Sequence, residues 1–151
     1  VLLYDRQRRI VAAVHAGWRG TVNRILAKTL HRMQSAYGTR GTDVIACIGP
    51  GISLDSFEVG DEVYEAFRTE NFPMEYISVW KPETHKYHID LWAANRLQLS
   101  DFGVPPRQIE NAGICTYRQH EDFFSARRLG IKSGRILSGI MLNGQEKGER
   151  K

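Results

Sequence analysis

Within twelve residues, "VAAVHAGWRGTV" from Val11 to Val22, the chain changes its period. Arg9 to His15 is a short apolar run of the kind that forms a strand. From Thr21 onward Val22, Ile25, Leu26, Leu30, Met33 and Tyr37 fall at helical spacings. A strand that hands over to a helix in one tight turn commits the chain to helices packed on a sheet. Thr21 stands where a helix N-cap is expected, and Gly38 closes the helical pattern. His15 occupies the handover itself, followed by two glycines that flank a Trp-Arg pair.

The remaining pattern extends this reading. Val1 to Tyr4 and Arg9 to His15, separated by the polar "DRQRR", predict a hairpin whose two strands are largely buried. Asp43 to Gly49 predicts a strand after the first helix, and helix followed by strand is an α/β unit. Val59 to Phe67 predicts a short helix with Val59, Val63, Ala66 and Phe67 on one side, and Tyr76 to Trp80 a short strand. Asp90 is placed to cap a helix through Leu91, Ala94, Leu97 and Leu99, stopped by Gly103 and two prolines. Between Ile109 and Leu142, "GICTY" and "GRILSGIML" read as β-rich runs. At 151 residues the chain is the size of one domain, expected over 1–142. The tail 143–151, "NGQEKGERK", lacks apolar anchors and is expected to fray.

Composition narrows the class. With 42% hydrophobic and 25% charged residues the chain reads as a soluble globular protein, and no apolar run approaches the roughly 20 residues a bilayer requires. The start "VLLYDRQRRI" has no basic region ahead of an apolar one, so it does not read as a signal peptide, and a cytoplasmic location is the expectation. Cys47 and Cys115 are too few for a disulfide framework and lack a C-x-x-C partner, so both read as reduced thiols. The net charge of +4 raises the question of nucleic acid, but the basic residues are interleaved with acids. The cluster Arg6 to Arg9 reads as a solvated turn between two strands rather than a phosphate-backbone contact.

Four stretches carry residues capable of chemistry. His15 is either a metal ligand or acid–base group, or a hydrogen-bonded histidine at the end of a strand. In "GWRG", Gly17 and Gly20 permit close backbone approach or positive φ, and Arg19 offers a fork suited to phosphate or carboxylate; alternatively Trp18 packs on the core and Arg19 pairs with an acid. Phe57 and Glu58 interrupt a loop shaped by Gly49, Pro50, Gly51 and Gly60, as a core anchor and a charge at a helix start, or as site residues. Cys115 is a small buried thiol, or a nucleophile if a base lies near it. Phe124, beside Ser125 and Arg127, is core, or suits a ligand with a flat ring and an anionic group. His85 and His88 lack an acidic or thiol partner at helical spacing and read as loop residues.

Together "AAVHAGWRG", "IGPGIS…FEVGDEV", "HIDLWAANRLQL", "AGICTY" and "FFSARR…GR…SGIML", in that order, resemble the laccase-domain family, also called polyphenol oxidoreductases and associated with purine nucleoside phosphorolysis and adenosine deamination. The resemblance spans Val1 to about Leu142. It implies a single α/β (α+β) domain with a mixed sheet packed by helices, similar to a toxin deamidase. It also implies zinc held by two histidines and a cysteine, the last ligand being His15. Val1 to Leu3 look like the residues that follow the family's cysteine, so the other two ligands are expected upstream of this chain, and the chain alone is expected to hold zinc weakly and to be inactive. The implied substrates are a purine nucleoside and phosphate. Arg19 and Arg127 are then candidates for phosphate or ribose contacts, Phe57 and Phe124 for packing the purine face, and Ser125 for binding substrate. Three alternatives stand beside this. A copper-dependent polyphenol oxidase would need many histidine and cysteine ligands, and the chain has five scattered histidines. A cysteine hydrolase would use Cys115, and a basic nucleic-acid-binding module would use Arg6 to Arg9 with the C-terminal lysines.

Overall fold

A computed structural model describes residues 1–130 and 132–144. The expectation for the tail falls mostly outside these, since only Asn143 and Gly144 of it are described. Strands β1 (Leu2–Asp5) and β2 (Ile10–Ala13) form the expected hairpin, pairing Leu2 with Ala13 and Asp5 with Ile10. The turn is Arg6 to Arg9. Asp5 accepts from the backbone N–H groups of Gln7 and Arg8, and the Arg8 guanidinium reaches Asp43 at 2.9 Å. Arg9, with φ 54°, donates to the Asn143 carbonyl. All four residues of "RQRR" are therefore tied into the fold, Arg6 and Gln7 through their backbone N–H groups and Arg8 and Arg9 through their guanidinium groups.

The first helix departs from its expected outline. It is two pieces, α1 (Trp18–Val22) and α2 (Ile25–Tyr37), broken where Arg24 takes φ 54°. Thr21 lies inside α1 and caps nothing; its hydroxyl donates back to the Ala16 carbonyl. Gly38 does end α2, at φ 70°. Strand β3 (Val44–Ile48) follows and lies beside β1, antiparallel. The later elements are β4 (Glu58–Val59), α3 (Asp61–Thr69), α4 (Met74–Ile77), β5 (Ser78–Lys81), β6 (Lys86–Ile89), α5 (Leu91–Asp101), β7 (Ile109–Asn111) and α6 (Ala126–Leu129). Val59 thus belongs to a strand rather than to the helix after it, and Tyr76 to a helical turn rather than to the strand after it. His88 sits buried within β6, not in a loop, while His85 is in the turn before it.

Two sheets result. The first has the order β2-β1-β3-β7, mixed because only β3 and β7 run parallel; the second is antiparallel, β4-β6-β5. The mixed sheet packed by helices is as expected, and the second sheet is an addition. Side chains alternate across a strand. Leu3, Val44, Ala46 and Ile48 accordingly meet Leu26, Leu30 and Met33 of α2 and Leu99 of α5 in one core. A second core joins Phe57, Val63, Phe67, Ile77, Ile89 and Ala94. Helix α5 contributes to both, which makes it the link between the sheets.

The expectation of two buried hairpin strands holds for neither face fully. Strand β2 is the sheet edge with no fully buried residue, and Ile45 on the opposite face from the core is exposed. The last expected β-run, "GRILSGIML", forms no strand among the described residues, and Leu137 and Met141 are 96% and 82% exposed. An apolar run becomes a strand only where an open edge meets it. Here residues 140–144 instead border a shallow cleft against Tyr4, Arg9 and Val11. No described helix is long and apolar enough to cross a membrane.

Candidate functional site

The handover at residues 14–17 is built to present one side chain. Val14 is buried and locked by its carbonyl and N–H to Val1, and the next residue, His15, stands exposed. Both glycines of the turn are explained by contact with it. A Cβ on Gly17 would lie 3.1 Å from His15 Nε2, and one on Gly20 would lie 3.3 Å from the His15 carbonyl oxygen. Gly17 has φ −66°, so close approach rather than positive φ is what the position requires. Behind the turn, Thr21 fixes it by donating its hydroxyl to the Ala16 carbonyl and its N–H to the Gly17 carbonyl.

Three arginine–ring pairs border the second core, one of them Arg24 at 4.4 Å from the ring of Phe72. The Arg19 guanidinium lies 4.3 Å from the ring of Trp18, and Trp18 packs on the apolar cluster that contains Phe57. The Arg127 guanidinium lies 5.2 Å from the ring of Phe57 and donates to the Glu58 carbonyl at 2.7 Å. Arg19 and Arg127 therefore sit over rings that share a cluster, with charge left toward water. Phe57 is buried, so its ring serves chiefly as a wall. Phe124 is more than half exposed and covers Gly134 so closely that a Cβ there would fall 2.7 Å from the ring. Ser125 is buried and accepts from the Arg128 N–H as the N-cap of α6, which aims Arg127.

Cys115 sits in a polar cradle that the sequence did not reveal. Gly51 and Cys115 form a parallel bridge, and this brings the loop after β3 over the thiol. Ser53 donates to the sulfur from its N–H at 3.4 Å and from its hydroxyl at 3.1 Å, with the Ser56 hydroxyl at 3.5 Å. Burial pushes the thiol pKa up, but the hydrogen bonds from Ser53 and Ser56 outweigh it, and the value falls from 9.0 to about 7. The partners of the sulfur are serines and backbone, with no histidine among them, so the base that a cysteine hydrolase requires is not in the cradle. His88 instead bonds the Leu54 carbonyl through Nδ1 at 2.9 Å and has Glu58 at 3.8 Å.

Residues 1–143 match a family model described as multi-copper polyphenol oxidoreductase laccase. The chain belongs to this family. It is 64% identical over 143 residues to a purine nucleoside phosphorylase of Bacteroides thetaiotaomicron, covering 95% of this chain and 53% of that protein. It is 49% identical over 140 residues to adenosine deaminase RL5 from an unknown prokaryotic organism, covering 93% of this chain and 53% of that protein. Among solved structures, the hypothetical protein YfiH of Bacillus licheniformis superposes with a TM-score of 0.77 at 32% identity, covering 84% of this chain and 48% of that one. The chain thus spans about half the length of the relatives it matches.

For a member of a family whose description names copper, the metal question is one of donors. Among the described residues no group of three or more His, Cys, Asp or Glu side chains is placed to hold a metal ion. His15 alone fits neither a closed nor an open zinc site, each of which takes at least three protein ligands, and the several coppers of an oxidase would need more. Cys47 lies half-buried on β3 and adds no such group. The described residues therefore do not by themselves fit zinc or copper. Missed by sequence reasoning were Ser53 and Ser56, and also Asn95 and Gln98, which reach the back of the His15 turn. The signal for the latter pair was present: 91, 94, 95 and 98 share one helical face, and two of the four are amides.

Proposed function

We propose that the protein carrying this chain is an enzyme acting on purine nucleosides, by phosphorolysis, by deamination of adenosine, or both. The observation that carries the reading is the His15 turn. A histidine is held exposed at the end of a strand by two glycines and a buried threonine, with Arg19 following on the first turn of α1. Stability alone does not require such an arrangement, and the ends of strands are where sites are built on α/β sheets. The substrate class is suggested by the names of the two relatives at 64% and 49% identity.

In this reading His15 is one ligand of a zinc whose other ligands come from polypeptide outside these 151 residues, since the described residues supply no complete set. Arg19 and Arg127 hold the anionic oxygens of phosphate, or the ribose, because a guanidinium fork matches them. Phe124 offers an exposed face to the purine, Phe57 forms the wall beneath Arg127, and Ser125 sets the direction of α6. In phosphorolysis a phosphate oxygen bonds to the ribose carbon as the base leaves with the bonding pair; in deamination the oxygen of water bonds to C6 as ammonia leaves.

The test is chromatography of products from adenosine and inosine, with and without phosphate, on the protein at its native length, together with its metal content. Phosphate-dependent release of free base, or formation of inosine from adenosine, supports the reading. Loss of both turnover and about one equivalent of zinc in His15→Ala supports the ligand role. A native-length protein that turns over neither nucleoside sinks the proposal.

A further inference from the structure

The motif "HIDLWAANRLQL" is accounted for only in part by the capping of α5, in which Asp90 accepts from the Ala93 N–H at 2.9 Å. Two amides remain. Asn95 and Gln98 lie on the buried face of α5, 3% and 1% exposed, among Leu91, Ala94 and Leu99. Both reach the same residue, Thr21, which is itself fully buried. Asn95 Nδ2 donates to the Thr21 hydroxyl at 3.1 Å and to the Leu91 carbonyl at 2.8 Å. Gln98 Nε2 donates to the Thr21 carbonyl at 3.2 Å, while its Oε1 accepts from the Ala27 N–H at 3.2 Å.

We propose that Asn95 and Gln98 are positioning residues that set the His15 turn through Thr21. The chain of contacts is continuous. By accepting from Asn95, the Thr21 hydroxyl is left with its single proton, which goes to the Ala16 carbonyl at 3.0 Å. Ala16 directly follows His15, and the Gly17 carbonyl is held by the Thr21 N–H. Gln98 meanwhile spans the break at Arg24, grasping the last turn of α1 with one end and the first turn of α2 with the other. A hydroxyl that could rotate freely would bond Ala16 only part of the time; Asn95 removes the choice. Asn95 Oδ1 is buried without a partner, so the direction comes from the bonds made by Asn95 Nδ2 and by both ends of Gln98, whose loss would leave further groups unbonded out of water. An apolar residue at 95 or 98 would pack as well against Leu91 and Leu99 but would leave the turn undirected.

The proposal rests on the reading that the His15 turn belongs to the active site, but its test does not. The readout is the set of proton–nitrogen correlations of the His15 ring, recorded on the full chain without metal or nucleoside, beside those of His31, His85, His88 and His120. Thr21→Val and Gln98→Met keep size and shape and remove the hydrogen bonds. Each is expected to shift or broaden the His15 signals while the other histidines stay in place, and Thr21→Ser is expected to restore them. Met33→Ala, which loosens the core near the end of α2, is expected to lower the melting temperature without moving His15. Gln98→Met supplies the answer if Thr21→Val fails to fold, and the reverse also holds. His15 signals unchanged in a folded variant of either kind overturn the positioning role, as would an equal response in Met33→Ala. Failure of nucleoside turnover at native length would instead overturn the function and leave the positioning standing.

Discussion

At the scale of single residues, the Cys115 thiol carries the clearest measurable consequence. Its folded pKa of about 7 lies below the ordinary value of 9.0, so the fold favours the thiolate. The stabilisation this supplies is fully present above about pH 9 and is lost as pH falls through about 7. In a Cys47→Ser background, ultraviolet absorbance of the thiolate is expected to titrate with a midpoint near 7. Ser53→Ala removes the 3.1 Å hydroxyl donor and is expected to move the midpoint upward by about one pH unit, the worth of one hydrogen bond to a charged group. A midpoint near 9 in the unsubstituted thiol would show that the serines do not hold the thiolate. The sequence named Cys115 as a small buried thiol, and it is buried. It could not show the cradle, because Ser53 and Ser56 lie some sixty positions away and are brought in by a bridge at Gly51 that no local pattern announces. His15 was legible for the opposite reason: its turn, its glycines and its helix are contiguous in the chain.

At the scale of elements, the loop entering β3 and the end of α5 meet backbone against backbone. A Cβ on Gly41 would fall 2.4 Å from the Gly103 carbonyl carbon and 2.6 Å from the Phe102 oxygen, both backbone atoms with no freedom to swing aside. Gly41→Ala is therefore expected to cost about 1–3 kcal/mol or more, the range for overpacking. Gly49→Ala, where a Cβ meets nothing within 4 Å, is expected to stay within about 0.5 kcal/mol of the parent. Urea unfolding midpoints compare the two, and equal midpoints would refute the backbone clash. Ends marked by a local signal that the fold uses were read correctly: Asp90 and Gly103 bracket α5, and Gly38 closes α2, whereas Thr21 lies inside α1. Those whose ends depend on distant partners were not. The split at Arg24 leaves the 3.6 period of the apolar residues nearly intact, so the periodicity of Val22 to Tyr37 runs straight over a break that Gln98 spans from another helix. Likewise β4 is two residues long and exists only because β6 lies beside it.

At the scale of the whole molecule, the described helices cover one face of the mixed sheet, while on the other face residues 140–144 border only Tyr4, Arg9 and Val11. Leu2 and Tyr4 of β1, Val11 of β2 and Ile45 of β3 share the face away from α2 and α5, as the pairings Tyr4 with Val11 and Tyr4 with Ile45 require. None of the four is fully buried, and Ile136, Leu137 and Met141 add exposed apolar surface in the segment that passes beyond. Layered folds bury both faces of a sheet this apolar, and contiguous exposed patches of this kind drive association. The 151-residue chain is accordingly expected to enhance the fluorescence of a hydrophobic dye and to self-associate as its concentration rises, followed by sedimentation velocity. Ile45→Thr with Leu137→Ser is expected to weaken both effects while leaving the helical signal in circular dichroism unchanged, because Ile45 points away from the core and Leu137 touches little. A chain that stays monomeric and dark to the dye across the concentration range would mean that this face is covered by its own residues. The likeness to proteins of twice this length would then say nothing about what the sheet needs to be stable. If instead association appears and the double substitution abolishes it, the same face explains both the stickiness of the chain and the exposure of Leu137 and Met141.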